Sequence, residues 1–170
     1  MPAPATRPLL FLDVDGTLIP LGTPTAAQPG ISQGRMEPPV LSANTHPLLY
    51  RVNPEHGRRL ASLRCDLVWA TTWMTDANDL LTPLLGLPTL PVVDWPDSDE
   101  MGLLHWKTRG LVEWAQGRPF VWVDDEISHA DQQWVSAHHH GAALLHRVDP
   151  RRGLTEHDFA VIESWLSRAL

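Results

Sequence analysis

The sequence has little cysteine, little lysine and no long apolar run, and each shortage excludes a class of protein. Cys65 is the single cysteine among 170 residues, which excludes an internal disulfide and is typical of a protein from a reducing cytosol. We therefore predict a cytoplasmic protein in which Cys65 is a small buried hydrophobic residue rather than a catalytic thiol. The first apolar run is interrupted by Asp13, too early for a membrane-spanning helix, so we expect no membrane partner.

Positive charge is also scarce: the chain has 13 lysines and arginines and 20 acidic residues, and its formal net charge is −7 at pH 7. No overall basic field attracts such a chain to nucleic acid or to anionic membranes, although a local basic groove remains compatible with the composition. Lys107 is the only lysine, and all other basic residues are arginines. Since this chain uses arginine where a generic positive charge suffices, the lone lysine is a candidate for a specific role.

Apolar runs that end in turn residues alternate with amphipathic stretches along the chain. This alternation predicts a single α/β domain over residues 1–170, built on a mostly parallel central sheet of about five strands. We predict strands from residue 9 and over 66–71, 90–93, 119–123 and 142–148, with 46–52 as a candidate for a further short strand. We predict helices over 54–63, 76–85, 103–115, 128–137 and from 155 to the C-terminus. A loop or flap insertion is expected at about 18–52, since residues 19–39 are rich in Pro, Gly, Thr and Gln.

The first strand ends in two carboxylates, Asp13 and Asp15, followed at once by Gly16 and Thr17. In open α/β sheets, ligands bind at the carboxyl ends of the strands, so both acids are expected at the site. Like charges repel, and partial burial removes their water, so the pair is costly unless a cation lies between them. The motif therefore predicts a divalent metal site.

Three further signals follow in order at predicted strand ends or helix starts: Thr71 or Thr72, then Lys107, then the pair Asp124 and Asp125. With Asp13-x-Asp15-Gly16-Thr17 before them, this order resembles the haloacid dehalogenase (HAD) superfamily over essentially the whole chain. The resemblance implies a three-layer Rossmann-like fold and a Mg²⁺-dependent phosphatase site. Each signal alone is compatible with an ordinary turn, strand end or helix start, and the ordered combination is what carries the interpretation.

The chemistry of a phosphomonoesterase assigns a role to each of these residues. Asp13 would attack phosphorus to give an aspartyl-phosphate, and Asp15 would act as general acid and base. The presence of Asp15 favours a phosphatase over a dehalogenase, whose reaction needs no acid at that position. Thr71 would donate a hydrogen bond to a phosphoryl oxygen, and Lys107 would place a positive charge beside the same group.

The resemblance also implies a Mg²⁺ site formed by Asp13, Asp124, Asp125 and the backbone carbonyl of Asp15. Which of Asp124 and Asp125 binds the metal directly is left open. The predicted substrate contacts are Gly16, which lets the backbone turn close to the ligand, Thr72 as the alternative to Thr71, and Trp73 near the mouth of the site. Stacking of Trp73 on a base or sugar and packing of Trp73 beneath the flap both remain open.

The intervals between the four signals are too short for a full cap domain. The chain is therefore predicted to be capless, and open sites of this superfamily often accept large phosphorylated substrates. The layout is similar, less specifically, to the HAD domains associated with RNA-repair proteins, so a nucleic-acid end is one candidate partner. The alternative to a phosphatase is a binding or regulatory module that keeps the fold and the metal site without useful turnover.

Overall fold

The computed structural model describes residues 6–22, 46–95 and 102–169, and these residues contain one parallel sheet. Its four strands are β1 (Leu9–Leu12), β2 (Asp66–Trp69), β3 (Phe120–Asp124) and β4 (Ala143–Arg147). They lie in the order β2-β1-β3-β4, and each neighbouring pair is parallel. Every residue of the central strands β1 and β3 is buried, as expected for the apolar strands of a parallel sheet that is covered on both faces.

Helices cover both faces of this sheet. The described residues form five of them: α1 (Glu55–Ser62), α2 (Asp76–Leu85), α3 (Thr108–Ala115), α4 (His129–His138) and α5 (Glu156–Ala169). On one face, Leu60 of α1 and Phe159 of α5 join the core cluster that contains Leu10. On the other face, Leu111 of α3 shares a cluster with Phe11, because successive strand residues point to opposite sides. The predicted α/β class and three-layer Rossmann-like arrangement are confirmed.

Several helix ends follow the local chemistry of the sequence. Helix α2 ends at Gly86, whose φ of +63° is the left-handed conformation that glycine adopts without strain. Helix α4 begins with a capping box in which Ser128 and Asp131 bind each other's backbone N–H groups. Thr155 and Asp158 make the same reciprocal bonds before α5, as the sequence predicts.

Two predicted strands are wrong in detail, so the sheet has four strands rather than about five. Residues 46–52 contain a short 3₁₀ helix, Leu49–Arg51, whose backbone bonds are local turns such as Leu49 N–H to the carbonyl of His46. Residues 90–93 give only an isolated bridge between Val92 and Trp69. Pro91 explains the brevity of that bridge, because proline has no N–H for a ladder.

The remaining differences concern the segments beside the site. Helix α3 begins at Thr108 rather than at residue 103, because the backbone N–H of Lys107 donates to Nδ1 of His105 instead of to a helix carbonyl. Residues 23–45 of the predicted flap lie outside the described residues, so the flap stays a prediction. Within the described part of the chain, no helix has the length and apolarity needed to cross a membrane.

Candidate active site

The predicted site residues begin at the carboxyl ends of three neighbouring strands. Asp13 follows β1, Asp124 is the last residue of β3, and Thr71 lies two positions after β2. The register pairs Leu12 with Val123, and the N–H of Asp13 donates to the carbonyl of Val123 at 3.1 Å. Strands that are adjacent, parallel and in register end together, so this topology gathers side chains that are distant in sequence.

Lys107 links two of these carboxylates. Its Nζ lies 2.7 Å from Oδ1 of Asp13 and 2.7 Å from Oδ2 of Asp124. All three side chains are buried, with only 3% of Lys107, 6% of Asp13 and 1% of Asp124 exposed. Buried charges are tolerated when they are paired and hydrogen-bonded, as they are here. The one lysine of the chain therefore sits at the centre of the predicted constellation.

The three charges perturb one another. Burial raises the pKa of Asp13 to about 7; the Lys107 ammonium opposes this shift and the Asp124 carboxylate adds to it. Burial alone would lower the pKa of Lys107, but the Asp13 and Asp124 carboxylates outweigh it and raise that pKa. The two carboxylates that Lys107 contacts therefore favour its ammonium form, whereas burial disfavours the charged form of Asp13.

Asp125 completes an acidic cluster next to this pair. One carboxylate oxygen from each of Asp13, Asp124 and Asp125 can be chosen so that all three lie within 4.8 Å of one another. Burial and the neighbouring Asp124 charge raise the pKa of Asp125 to about 6. A set of converging carboxylate oxygens is the ligand chemistry that Mg²⁺ prefers. These residues could hold a metal ion.

Gly16 provides the room for the Asp125 carboxylate. Its φ is +75°, and a Cβ at this position would overlap Oδ2 of Asp125. A glycine is required here both by the backbone conformation and by the close approach of a cluster carboxylate. This contact gives a structural reason for the Asp-Gly step of the first motif.

The second aspartate of the motif points elsewhere. Oδ2 of Asp15 accepts a 2.9 Å hydrogen bond from the indole Nε1–H of Trp73, and its side chain is not a member of the acidic cluster. Its predicted metal contact is through the backbone carbonyl. Thr71 is fully buried and its Oγ1 accepts the backbone N–H of Trp73 at 3.2 Å, whereas Thr72 is exposed.

Three more tryptophans contact the site residues, and the sequence did not predict these contacts. Trp122 Nε1 donates to Oδ2 of Asp124 at 3.2 Å, and Trp95 Nε1 donates to the carbonyl of Thr71 at 3.3 Å. The ring of Trp106 lies with its centroid 5.4 Å from Nζ of Lys107. Alternation along β3 could have placed Trp122 on the same side as Asp124, but no local pattern indicates the other two contacts.

Asp131 is a further residue near the site that the sequence does not single out. Besides capping α4, its Oδ1 accepts the backbone N–H of His105 at 2.7 Å and the hydroxyl of Thr108 at 2.6 Å. His105 Nδ1 in turn accepts the backbone N–H of Lys107 at 3.1 Å. The segment that carries the lysine is therefore tied to the start of α4 on both sides of Lys107.

A family model described as "HAD domain in Swiss Army Knife RNA repair proteins" matches residues 9–159. The match spans every predicted site residue from Asp13 to Asp125. No curated protein and no solved structure matches the chain.

Proposed function

Because the chain belongs to the family of HAD domains found in Swiss Army Knife RNA repair proteins, we propose that it is a Mg²⁺-dependent phosphomonoesterase. The observation that carries this proposal is the buried Lys107 bridge between Asp13 and Asp124, beside the acidic cluster. In this bridge the Asp13 carboxylate can act as the nucleophile, and the Lys107 ammonium beside it can neutralise the charge of the phosphate.

The proposed reaction has two displacements at phosphorus. A carboxylate oxygen of Asp13 attacks phosphorus, the bond from phosphorus to the leaving oxygen breaks, and the Asp15 carboxylic acid gives its proton to that oxygen. Asp15, now a carboxylate, takes a proton from water as the water oxygen attacks the aspartyl-phosphate. The bond between phosphorus and the Asp13 oxygen breaks, and inorganic phosphate leaves.

Other residues stabilise the transferred group. Lys107 is positioned to neutralise phosphoryl oxygens, and the buried Thr71 is favoured over the exposed Thr72 as the hydroxyl donor. Asp13, Asp124 and Asp125, with the backbone carbonyl of Asp15, would hold Mg²⁺. When bound, the metal supplies positive charge that offsets the carboxylates and the developing charge on the phosphoryl group.

The test is hydrolysis of p-nitrophenyl phosphate with Mg²⁺, with EDTA, and by the Asp13→Asn variant. We expect turnover only by the wild type with Mg²⁺. Asp66→Asn is the matched control, since it removes a carboxylate at the opposite end of β2 and should retain activity. Equal rates under all conditions would exclude the mechanism. Mg²⁺ binding without hydrolysis of a broad phosphomonoester panel would instead favour a non-catalytic regulatory module.

A phosphatase for nucleic-acid ends is the second candidate, and Trp106 is the observation that favours it. Its side chain is 45% exposed although its ring lies beside Lys107 Nζ. An exposed indole next to a phosphate site can stack on the base of a terminal nucleotide, a contact worth about 1–3 kcal/mol per base. The description of the family, as domains of RNA repair proteins, agrees with this candidate.

Oligonucleotides with 3′- or 5′-phosphates distinguish this candidate from a small-metabolite enzyme. We expect Trp106→Ala to lower kcat/KM for an oligonucleotide end by about tenfold, the loss of one stacking contact, with little change for p-nitrophenyl phosphate. Tyr50→Ala, which removes another exposed ring, is the control. Equal loss on both substrates would remove Trp106 as a reason for the second candidate.

A further inference from the structure

Trp73 and Asp15 form a contact that the proposed reaction does not yet use. The indole Nε1–H of Trp73 donates to Oδ2 of Asp15 at 2.9 Å, although the two residues are 58 positions apart. Trp73 comes from the turn after β2 and Asp15 from the turn after β1. The bond therefore spans two strand ends and reaches the residue to which we assign the proton transfers.

The turn after β2 fixes the position of this indole. The backbone N–H of Trp73 donates to Oγ1 of Thr71, and the next residue, Met74, has a φ of +50°. A positive φ is uncommon for a residue other than glycine and costs energy, so the turn is held by its surroundings. The Trp73 ring is half-buried against the core and lies 4.8 Å from the ring of His46. The indole therefore has one well-defined place to donate.

The donor chemistry of the Trp73 indole determines how the hydrogen bond affects the Asp15 carboxyl group. An indole N–H can only donate, so Oδ2 of Asp15 acts as the acceptor in this bond. Because the carbonyl oxygen of a carboxylic acid is a better acceptor than its hydroxyl oxygen, this bond favours Oδ1 as the oxygen that carries the transferred proton. A single hydrogen bond thus favours one carboxyl oxygen as the proton carrier and limits rotation of the carboxyl group. Orientation of this kind lowers a reaction barrier.

We propose that Trp73 is a positioning residue that orients Asp15 for proton transfer to the leaving oxygen. This inference rests on the proposed phosphatase function. It gives Trp73 a role different from the predicted substrate contact, because the polar edge of the indole is directed at the enzyme's own acid.

The leaving group provides a readout that a purely structural role would not change. p-Nitrophenolate departs without protonation, whereas the alkoxide from an alkyl phosphate such as ethyl phosphate needs a proton from the acid. The ratio kcat/KM reports the steps up to formation of the aspartyl-phosphate and excludes its hydrolysis. Comparing kcat/KM for the two substrates therefore isolates the acid step.

We expect Trp73→Phe, which keeps an aromatic ring but removes the N–H, to lower kcat/KM for ethyl phosphate at least about tenfold, a fraction of the full effect of a general acid. The value for p-nitrophenyl phosphate should stay within about twofold, since that substrate needs no acid. Asp15→Asn should show the same selectivity more strongly, and adding Trp73→Phe to it should cost nothing further. Trp134→Phe removes an indole N–H from α4, away from the site, and should change neither value.

Equal losses on both substrates, or no loss on ethyl phosphate, would overturn the positioning role while leaving the phosphatase intact. A wild type that hydrolyses neither substrate would overturn the proposed function and this inference with it. Should Trp73→Phe not fold, the NMR signal of the isotope-labelled Trp73 indole N–H in otherwise wild-type protein is the second measurement. It should move upfield in Asp15→Ala, and an unmoved signal would show that the bond does not exist.

Discussion

Lys107 Nζ donates a 2.7 Å hydrogen bond to Oδ1 of Asp13, across 94 positions of sequence. The same nitrogen donates to Oδ2 of Asp124 at the same distance, so one buried ammonium serves two buried carboxylates. Truncating one partner of a buried ion pair costs more than the pair contributes, because the other partner stays buried without the opposite charge. The bridge should therefore be a requirement of the fold as well as of the proposed chemistry.

Replacement of Lys107 by methionine tests this expectation. In EDTA we expect Lys107→Met to lower the free energy of unfolding by about 3–5 kcal/mol, the usual cost of breaking a buried pair. Urea denaturation measures the change. The double variant Asp13→Asn/Lys107→Met should be more stable than Lys107→Met alone, since it no longer buries one of the two unpaired charges. A Lys107→Met protein as stable as the wild type would show that the bridge contributes nothing to folding.

Asp131 allows a prediction about pH. Burial alone would raise the pKa of Asp131, but hydrogen bonds from Ser128, Thr108 and His105 outweigh it and lower that pKa. The folded chain thus favours the ionised carboxylate. Its contribution to stability is present above the unfolded pKa of about 3.9 and is lost as the pH falls through the lower folded value.

We expect Asp131→Asn to lower the free energy of unfolding at pH 7 by about 2–4 kcal/mol, because buried donors lose a charged acceptor. The difference from the wild type should shrink as the pH is lowered from about 5 to about 3, which urea midpoints at each pH would measure. A difference that does not vary with pH would contradict the assignment of the lowered pKa.

The chain contains a matched control for the catalytic consequence. Asp158 forms an equivalent capping box with Thr155, and its side chain also bonds His146 of β4 rather than the segment around Lys107. Asp131→Asn should lower phosphatase activity as well as stability, because it releases His105 and Thr108 on either side of the lysine. Asp158→Asn should lower stability alone, and equal activity losses in the two variants would exclude a specific effect on Lys107.

The parts of this molecule that the sequence could predict are those in which the cause is local. Helix α2 and its end at Gly86, the capping box before α5, and the central strands all follow from patterns within a few residues. The four sequence signals could also be assigned to one site, because the carboxyl ends of parallel strands lie at the same edge of the sheet. Residues 46–52 and 90–93 have the β propensity of strands but form none, because propensity does not show whether a neighbouring strand offers N–H and carbonyl groups for pairing.

The contacts that the sequence does not predict depend on segments brought together only by folding. The indoles of Trp73 and Trp95 come from loops, where no periodicity indicates direction. Asp131 is one of many acids in first helical turns, and its bonds to His105 and Thr108 require the packing of α4 beside α3. Contacts between segments that are distant in sequence have no signature in a single sequence. The residues that surround a site are therefore harder to predict than its motif residues.

At Gly16, the cost of the left-handed backbone conformation can be separated from the cost of steric overlap with Asp125. Gly16→Ala should destabilise the fold through its φ of +75° and also through overlap of the new Cβ with the Asp125 carboxylate. Gly86→Ala is the control, since its φ of +63° is similar and nothing lies within 4 Å of a Cβ there. We expect about 1–2 kcal/mol for Gly86→Ala from the left-handed conformation alone.

Gly16→Ala should cost more than Gly86→Ala and should also abolish Mg²⁺-dependent hydrolysis, because Asp125 must move away from the acidic cluster. Urea denaturation and the p-nitrophenyl phosphate assay measure the two effects. Equal costs for both variants, with activity retained in both, would show that Asp125 can shift without consequence and that its place over Gly16 is not needed.

Asp125 supports the last prediction, which concerns metal binding without catalysis. A ligand that binds only the folded state stabilises it by about 2.7 kcal/mol at a hundred times its dissociation constant, so the Tm of the wild type should rise with Mg²⁺ concentration. Asp125→Asn should lose most of this rise, since one carboxylate of the cluster becomes a neutral amide. Glu126→Gln removes the same charge one position further on, where the side chain is exposed and outside the cluster, and should keep the rise. If both variants respond to Mg²⁺ as the wild type does, Asp125 is not a ligand and the metal site must be reassigned to Asp13 and Asp124.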